Sequence, residues 1–368
     1  MPEGQLIDTK TLSEWLETGK EISILDVRPI SERSEWFIPQ SIYTDAYSKL
    51  KQKDKSAFKG IHLDKRIPVV TVCAGGKTSM IAAKFLKEDG YEAYSLTDGM
   101  KGWSLAWNKA ILSFENYQIV QLRRTGKGCL SYIIIAGKEA VIVDASLPEE
   151  IYQKILNTEG IKLKNVMDTH IHADHLSRSK LLAGKNNVPL YLPIPNKVKF
   201  DFHPIDENTI LNLEKINIKV IQTPGHTLES VSFLIDGKAL LTGDTLFING
   251  IGRPDLKSDV EEIKQKSKLL YQSLQSLFTL PEDIVVLPAH TNHPVDFNET
   301  PVQSTLGAIR KNIPLLDLNE ETFAEALLQR VPPTPANYLS IVEKNLSGDF
   351  SDINPVDLEA GANRCAIS

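Results

Sequence analysis

The sequence predicts two domains in tandem: an α/β unit built on a parallel sheet, then an α+β unit of layered strands and helices. Three observations predict it. Up to about residue 108, short apolar runs alternate with helical stretches, as crossover connections in a parallel sheet require. Beyond Trp107 the apolar runs crowd together, as antiparallel strands do. A chain of 368 residues also suits about two domains.

In the first unit the runs ISILDV, PVVTVC and EAYSL read as strands, and TLSEWLE and SMIAAKFLKEDG as helices. The second opens with YQIVQLRR, LSYIIIA and AVIVDA, continues through helix, and returns to strands in INIKVIQTPGH, SVSFLIDGKALLTGD and DIVVLPAH. Asp236-Gly237 between two apolar runs is a hairpin turn signal. The last 70 or so residues read as helices (VQSTLGAIRKN, NEETFAEALLQRV, ANYLSIVEKN), broken by Pro332, Pro333 and Pro335 and capping the second domain. The boundaries are residues 1–108 for the first domain, 109–116 for a short linker and 117–368 for the second.

The net charge of −6 and pI of about 5.8 provide no bulk positive field for nucleic acid or an anionic membrane surface. No apolar run reaches the roughly 18 residues of a membrane span, and MPEGQLIDTK lacks the order of a secretory signal. The expected location is cytoplasmic, with no nucleic-acid or membrane partner; assembly as a homo-oligomer is left open. Cys73, Cys129 and Cys365 are too few and too far apart for a disulfide framework, so each is read as a thiol. Cys129 reads as a strand-start core residue and Cys365 as a packed tail residue.

Residues 169–177 read THIHADHLS and hold three of the chain's eight histidines. They follow an apolar stretch, so His170 and His172 leave a strand end with side chains two apart able to point one way, and Asp174 and His175 the other. Imidazoles and carboxylates are what zinc, iron and manganese take. Three more apolar runs close on further donors: His226 in TPGH, Asp244 in LTGD and His290 in LPAH. Four such sites together make a surface-loop reading poor.

This set resembles the metallo-β-lactamase fold superfamily, marked by T-H-x-H-x-D-H, then G-H, a bridging Asp and a final His. The resemblance implies an αββα sandwich from about Tyr117 onward. It also implies His170, His172 and His226 on one metal, Asp174, His175 and His290 on a second, and Asp244 between them. After Asp244 the loop reads GIGRPD, and G-x-G-R-x-D resembles persulfide dioxygenases. That narrower resemblance implies one Fe(II) on His170, His226 and Asp244, with His172, Asp174, His175 and His290 as a possible second site or supporting shell. It puts Arg253 on a carboxylate of the thiol carrier. Ile251, Pro254, Thr291 and Asn292 differ from the glutathione-using branch, so the carrier is expected only as a low-molecular-weight thiol. DLEAGANRCAI near the C-terminus resembles the ending of dioxygenase-like proteins fused to rhodanese modules.

Cys73 ends a strand and opens CAGGKTS before a helix, so backbone N–H groups and the positive helix end face the sulfur. Asp26-Val27-Arg28, IPQS and DGMKGW, taken with this loop, resemble the rhodanese domain, a parallel-sheet α/β fold whose loop cysteine carries sulfane sulfur. Cys73, Gly76 and Ser79 match the family loop; Thr78 replaces its arginine, with Lys77 alongside and Gly75 preceding. The expected reaction is oxidation of a thiol persulfide by O₂ to sulfite, coupled to sulfur transfer. The rival is a thioester hydrolase resembling glyoxalase II, with two Zn(II) ions. A non-catalytic sulfur relay ranks third, because structural metal sites are usually closed by four strong ligands.

Overall fold

The computed structural model describes residues 6–193, 198–255, 258–330, 334, 337–361 and 365–367. In the first domain five parallel strands lie in the order Leu6–Ile7, Ala93–Leu96, Val69–Val72, Ser23–Asp26, Ile42–Tyr43. Ser23–Asp26 and Val69–Val72 are buried at every position, which is why both read as unbroken apolar runs. Helix Lys77–Glu88 packs Ala82, Ala83 and Leu86 onto this sheet.

The second domain holds two facing sheets. One has seven strands in the order His203–Pro204, Leu190–Leu192, Lys162–Met167, Glu139–Val143, Cys129–Ala136, Gln118–Arg124, Asn108–Ser113. The other has six: Ile210–Leu213, Ile216–Gln222, Val231–Ile235, Ala239–Gly243, Val285–Pro288, Ser304–Thr305. Strand alternation builds the layers. Leu130, Tyr132 and Ile134 point inward to meet Ile218, Val220 and Phe233 of the facing sheet, while Ile133 and Ile135 point outward under Tyr152 and Leu156 of helix Glu149–Glu159. On the opposite side Leu240 and Ile284 meet Leu277 of helix Val260–Leu277, completing an αββα sandwich.

The expected linker at 109–116 is a correction. Asn108–Ser113 pairs antiparallel with Gln118–Arg124 over its whole length, and alternate residues Asn108, Ala110 and Leu112 are buried. With Lys109, Ile111 and Ser113 outward, the run has the alternation of a half-buried edge strand, so the passage between domains lies within sheet structure. The expected hairpin turn is present, with φ of 47° at Asp236 and 65° at Gly237. The C-terminal helices are Leu306–Asn312, Glu320–Gln329, Tyr338–Ser347 and Pro355–Glu359; Pro332, Pro333 and Pro335 lie outside the described residues. Among the described residues no helix is long and apolar enough to cross a membrane.

The domains meet along residues 124–128. Trp36 donates from Nε1 to the Thr125 carbonyl at 3.0 Å, and Arg124 from Nε to that of Ser104 at 2.7 Å. A Cβ on Gly128 would stand 2.9 Å from the Trp36 ring, so only glycine admits this contact.

Candidate metal centre and thiol loop

The sandwich gathers its polar strand ends at one edge. His170 follows strand Lys162–Met167, His226 follows Ile216–Gln222, Asp244 follows Ala239–Gly243 and His290 follows Val285–Pro288. Backbone bonds lock these exits together, from Val231 N to the Thr169 carbonyl at 2.9 Å and from Ala289 N to that of Gly243 at 2.9 Å. Gly243 has φ of 53°, and a Cβ there would meet the Thr169 side chain at 2.7 Å, so glycine is required for the two strand ends to touch.

Three donors converge. Atoms of His170, His226 and Asp244 lie within 4.8 Å of one another, and all three residues are buried. Each is aimed by its other atom. Thr169 Oγ1 gives its proton to the Asp144 carboxylate, so it accepts from His170 Nδ1 at 2.9 Å and leaves Nε2 as a lone pair. His226 Nδ1 donates to the Arg253 carbonyl at 2.8 Å, leaving its Nε2 as a lone pair 3.5 Å from Asp244 Oδ2. Asp244 Oδ1 is 2.5 Å from His290 Nδ1. His170 Nε2 and Asp244 Oδ2 are buried without a hydrogen-bond partner, a costly arrangement unless a cation accepts both. Burial, with neighbouring His172, holds His170 well below the usual histidine range, and burial lowers His226, which keeps both neutral. Burial pushes the Asp244 carboxyl up, but His290 and the other imidazoles overrule it and keep it ionised. Donor chemistry and geometry therefore fit a divalent ion.

A second group lies beside the first. Donor atoms of Cys129, Asp174, His175 and His290 also fall within 4.8 Å of one another. His175 Nδ1 and His290 Nε2 stand 3.0 and 2.8 Å from the Asp174 carboxylate. Burial opposes charge on His175, but Asp174 and Cys129 raise it to about 10. His172 goes elsewhere: its Nε2 is 3.2 Å from Asp144, and it groups with Asp144 and Asp168 rather than with His226 and Asp244. Its Nδ1 is buried and has no hydrogen-bond partner.

Cys73 follows strand Val69–Val72, with its Sγ 3.2 Å from Ser79 Oγ, which Ser95 supports at 2.8 Å. Gly76 takes φ of 82° to turn the chain into helix Lys77–Glu88. Gly75 and Lys77 are exposed and Thr78 half-buried, so the loop presents an exposed lysine beside the position where the family pattern has a guanidinium. Asp26 and Arg28 form a buried pair at 2.7 Å, and Arg28 also donates to the Trp36 carbonyl, tying this domain's motif to the domain contact.

Residues 8–106 match the rhodanese-like domain, and 124–201 with 193–290 match the metallo-β-lactamase superfamily. The chain joins a rhodanese-like domain to a metallo-β-lactamase superfamily domain. It is homologous to human mitochondrial persulfide dioxygenase ETHE1, with 28% identity over 218 residues covering 57% of this chain and 79% of that protein. Hydroxyacylglutathione hydrolase of Francisella tularensis subsp. novicida is 32% identical over 162 residues, covering 43% and 61%. The crystal structure of ETHE1 from Myxococcus xanthus superposes with a TM-score of 0.53 at 25% identity, covering 62% of this chain and 97% of that one.

Within the metallo-β-lactamase domain Arg253, the expected carboxylate anchor, lies in the loop after Asp244. Arg253 is fully buried, with Nε and Nη2 on the two oxygens of Asp255 at 2.8 and 2.6 Å. The guanidinium thus pairs with a loop carboxylate, and the backbone oxygen of Arg253 accepts from His226 Nδ1. The expectation for Cys129 and Cys365 is a packing role. Both are buried, but Cys129 stands 3.2 Å from Asp174, and Cys365 groups with Asp244 and His290. Asp144 and Glu359 are site residues that the motifs do not single out. Asp144 orients Thr169 and His172; Glu359 accepts from Leu176 N at 2.6 Å and from Arg124 at 2.9 Å, fixing the chain just past His175. Asp144, the penultimate residue of AVIVDA, is the available signal, and Glu359 lies inside DLEAGANRCAI.

Proposed function

We propose that the chain is an Fe(II)-dependent persulfide dioxygenase acting on a low-molecular-weight thiol persulfide in the cytoplasm, with Cys73 as the sulfur carrier of the rhodanese-like domain. The overall reaction is R–S–SH + O₂ + H₂O → R–SH + H₂SO₃. The observation that carries this reading is the convergence of His170, His226 and Asp244 without His172. Two neutral imidazoles and a carboxylate are the donor set of non-haem iron sites with open positions. Iron, when bound, supplies the redox chemistry that joins O₂ to the terminal sulfur. The chain's own residues hold the donors rigid through Thr169, Arg253 and His290.

A cavity of about 440 Å³ reaches His226 from the surface, lined by Leu228, Glu229, Gln265, Lys266 and Tyr338 among others. It suits a small thiol with polar ends rather than a protein acceptor. Cys73 exchanges a sulfane sulfur with the same pool of small thiols, and fusion raises the local concentration of the shared intermediate.

The test is O₂ uptake and sulfite formation with glutathione persulfide, run beside cleavage of a glutathione thioester, with iron and zinc counted per chain. The expected outcome is O₂ uptake tracking one iron per chain. Thioester cleavage without O₂ uptake would establish the dinuclear-zinc hydrolase instead.

A further inference from the structure

A second cavity, of about 410 Å³, opens beside the Cys73 loop and is walled by both domains. On one side lie Ala74 and Gly75, the exposed residues that directly follow Cys73. On the other lie Gly126, Ala360 and Gly361 of the second domain. The two walls are fixed against each other. A Cβ on Gly126 would stand 1.8 Å from the Trp103 carbonyl oxygen, so the second domain rests directly on the backbone that ends helix Gly99–Trp103. The start of the same helix is tied to the thiol loop, with Met100 N donating to the Cys73 carbonyl at 2.8 Å and Lys101 N to that of Ala74 at 3.0 Å. Lys101 in turn pairs with Asp357 of the second domain. The charged side chains around the cavity are balanced, Arg28 and Lys101 against Glu32 and Glu35. Arg28 is committed, because it pairs with Asp26 and donates to the Trp36 carbonyl at 2.7 Å. Lys101 and Asp357 are both exposed, and a pair of that kind holds its lysine weakly, so the ammonium is able to turn to a ligand.

We propose that this cavity is the acceptor site of Cys73, that the second domain completes it, and that it takes a small zwitterionic thiol of the amino-acid or short-peptide class. Its volume is that of a small-molecule site, and the wall from the second domain keeps a folded protein acceptor off the loop. Lys101 takes the carboxylate of the ligand, and Glu32 and Glu35 take its ammonium. The sulfur step rests on the reading of Cys73 as a sulfur carrier. The acceptor thiolate attacks the outer sulfur of the Cys73 persulfide, its electron pair forming the new S–S bond while the old S–S bond breaks and leaves the Cys73 thiolate. Nothing else is oxidised or reduced, and the acceptor departs as the small persulfide that the iron centre consumes.

The test uses the full chain and reads Cys73 itself, as the rate at which neutral iodoacetamide alkylates it, followed on the Cys73 peptide by mass spectrometry. The probes are S-methylglutathione, which carries both charges but no thiol, and methylthioethanol, which carries neither charge. S-methylglutathione is expected to slow the alkylation, and the uncharged thioether to leave it unchanged. Lys101→Gln should weaken that protection by about tenfold, the size of one lost charge-assisted contact. Asp357→Asn, which breaks the same ion pair but keeps the cation, should retain it. Ala360→Trp, which sets an indole into the cavity from the second domain, should slow the alkylation with no probe present. Should that variant fail to fold, the comparison of Lys101→Gln with Asp357→Asn decides the matter without it. A Cys73 that does not react, equal protection by both probes, equal loss in Lys101→Gln and Asp357→Asn, or wild-type alkylation in folded Ala360→Trp each overturns the assignment. None of these readings needs O₂, iron or a sulfane sulfur, so failure here is told apart from failure of the dioxygenase and sulfur-carrier readings.

Discussion

His226 is held by Arg253 through the backbone: its Nδ1 donates to the Arg253 carbonyl at 2.8 Å. The guanidinium of the same residue grips Asp255, and Arg253 N donates to the Cys365 carbonyl at 3.0 Å, so the loop cannot drift. Second partners of this kind commonly change metal affinity by about 10–100-fold when lost. Arg253→Ala should therefore lower iron affinity by about that factor, measured by iron retention during graded chelation. With iron restored in excess, KM for the persulfide should change little. A large KM rise at full iron occupancy would support Arg253 as a carrier anchor.

His170 and His172 are neighbours in sequence but part company in space. His170 aims its Nε2 at the open set, whereas His172 puts its Nε2 on Asp144. His170→Ala should remove bound iron and O₂ uptake together. His172→Ala should leave iron bound, at about 10–100-fold lower affinity, because it disturbs Asp144 and through it Thr169. Iron per chain measured on both variants checks this. Equal loss would restore His172 as a ligand, as the dinuclear-zinc hydrolase requires.

Much of this was legible in the sequence, because apolar runs ending in His or Asp are local patterns and the strand ends they predict share one edge of the sandwich. The tandem architecture, the hairpin at Asp236-Gly237 and the positions of His170, His226, Asp244 and His290 belong to that class. Roles decided by tertiary neighbours were not legible. That the guanidinium of Arg253 pairs with Asp255 depends on how the loop folds, which no local pattern carries. Cys129 looks like any buried strand residue until the fold brings it to Asp174, 45 positions away. Asn108–Ser113 is short and lies at the domain boundary, where three apolar residues, Ala110, Ile111 and Leu112, fit an edge strand and a connecting segment alike.

Cys73 and the histidine centre sit on different domains, which touch through Trp36, Thr125 and Gly128 and through an ion pair of Lys101 with Asp357. Cys73→Ser should abolish sulfur transfer, measured with thiosulfate and a small thiol acceptor. O₂ uptake on preformed persulfide should stay within about twofold, since the two sites share no residue and sites without shared partners rarely couple. Loss of both activities would mean that the sites are not separable. Thr78→Arg, which restores the loop cation of the rhodanese pattern, should raise sulfur transfer if the missing guanidinium limits it.

Glu359 is buried between Arg124 and Arg178 and also caps the chain at Leu176, so it joins the tail, the domain contact and the histidine run. Burial alone would raise its pKa, but the two guanidinium groups overrule it and hold the carboxyl at about 2 against an ordinary 4.5. A depressed folded pKa stabilises the fold above the unfolded value, and the contribution fades as pH falls from about 4.5 through about 2. A shift of that size corresponds to about 3 kcal/mol. Glu359→Gln keeps the shape but leaves two buried cations short of a partner, so it should cost about 3–5 kcal/mol near neutral pH by urea unfolding. The wild-type advantage over this variant should shrink between pH 4.5 and 2, where protonation removes the same charge. An advantage independent of pH across that window would show that shape rather than charge at Glu359 holds the histidine run in place.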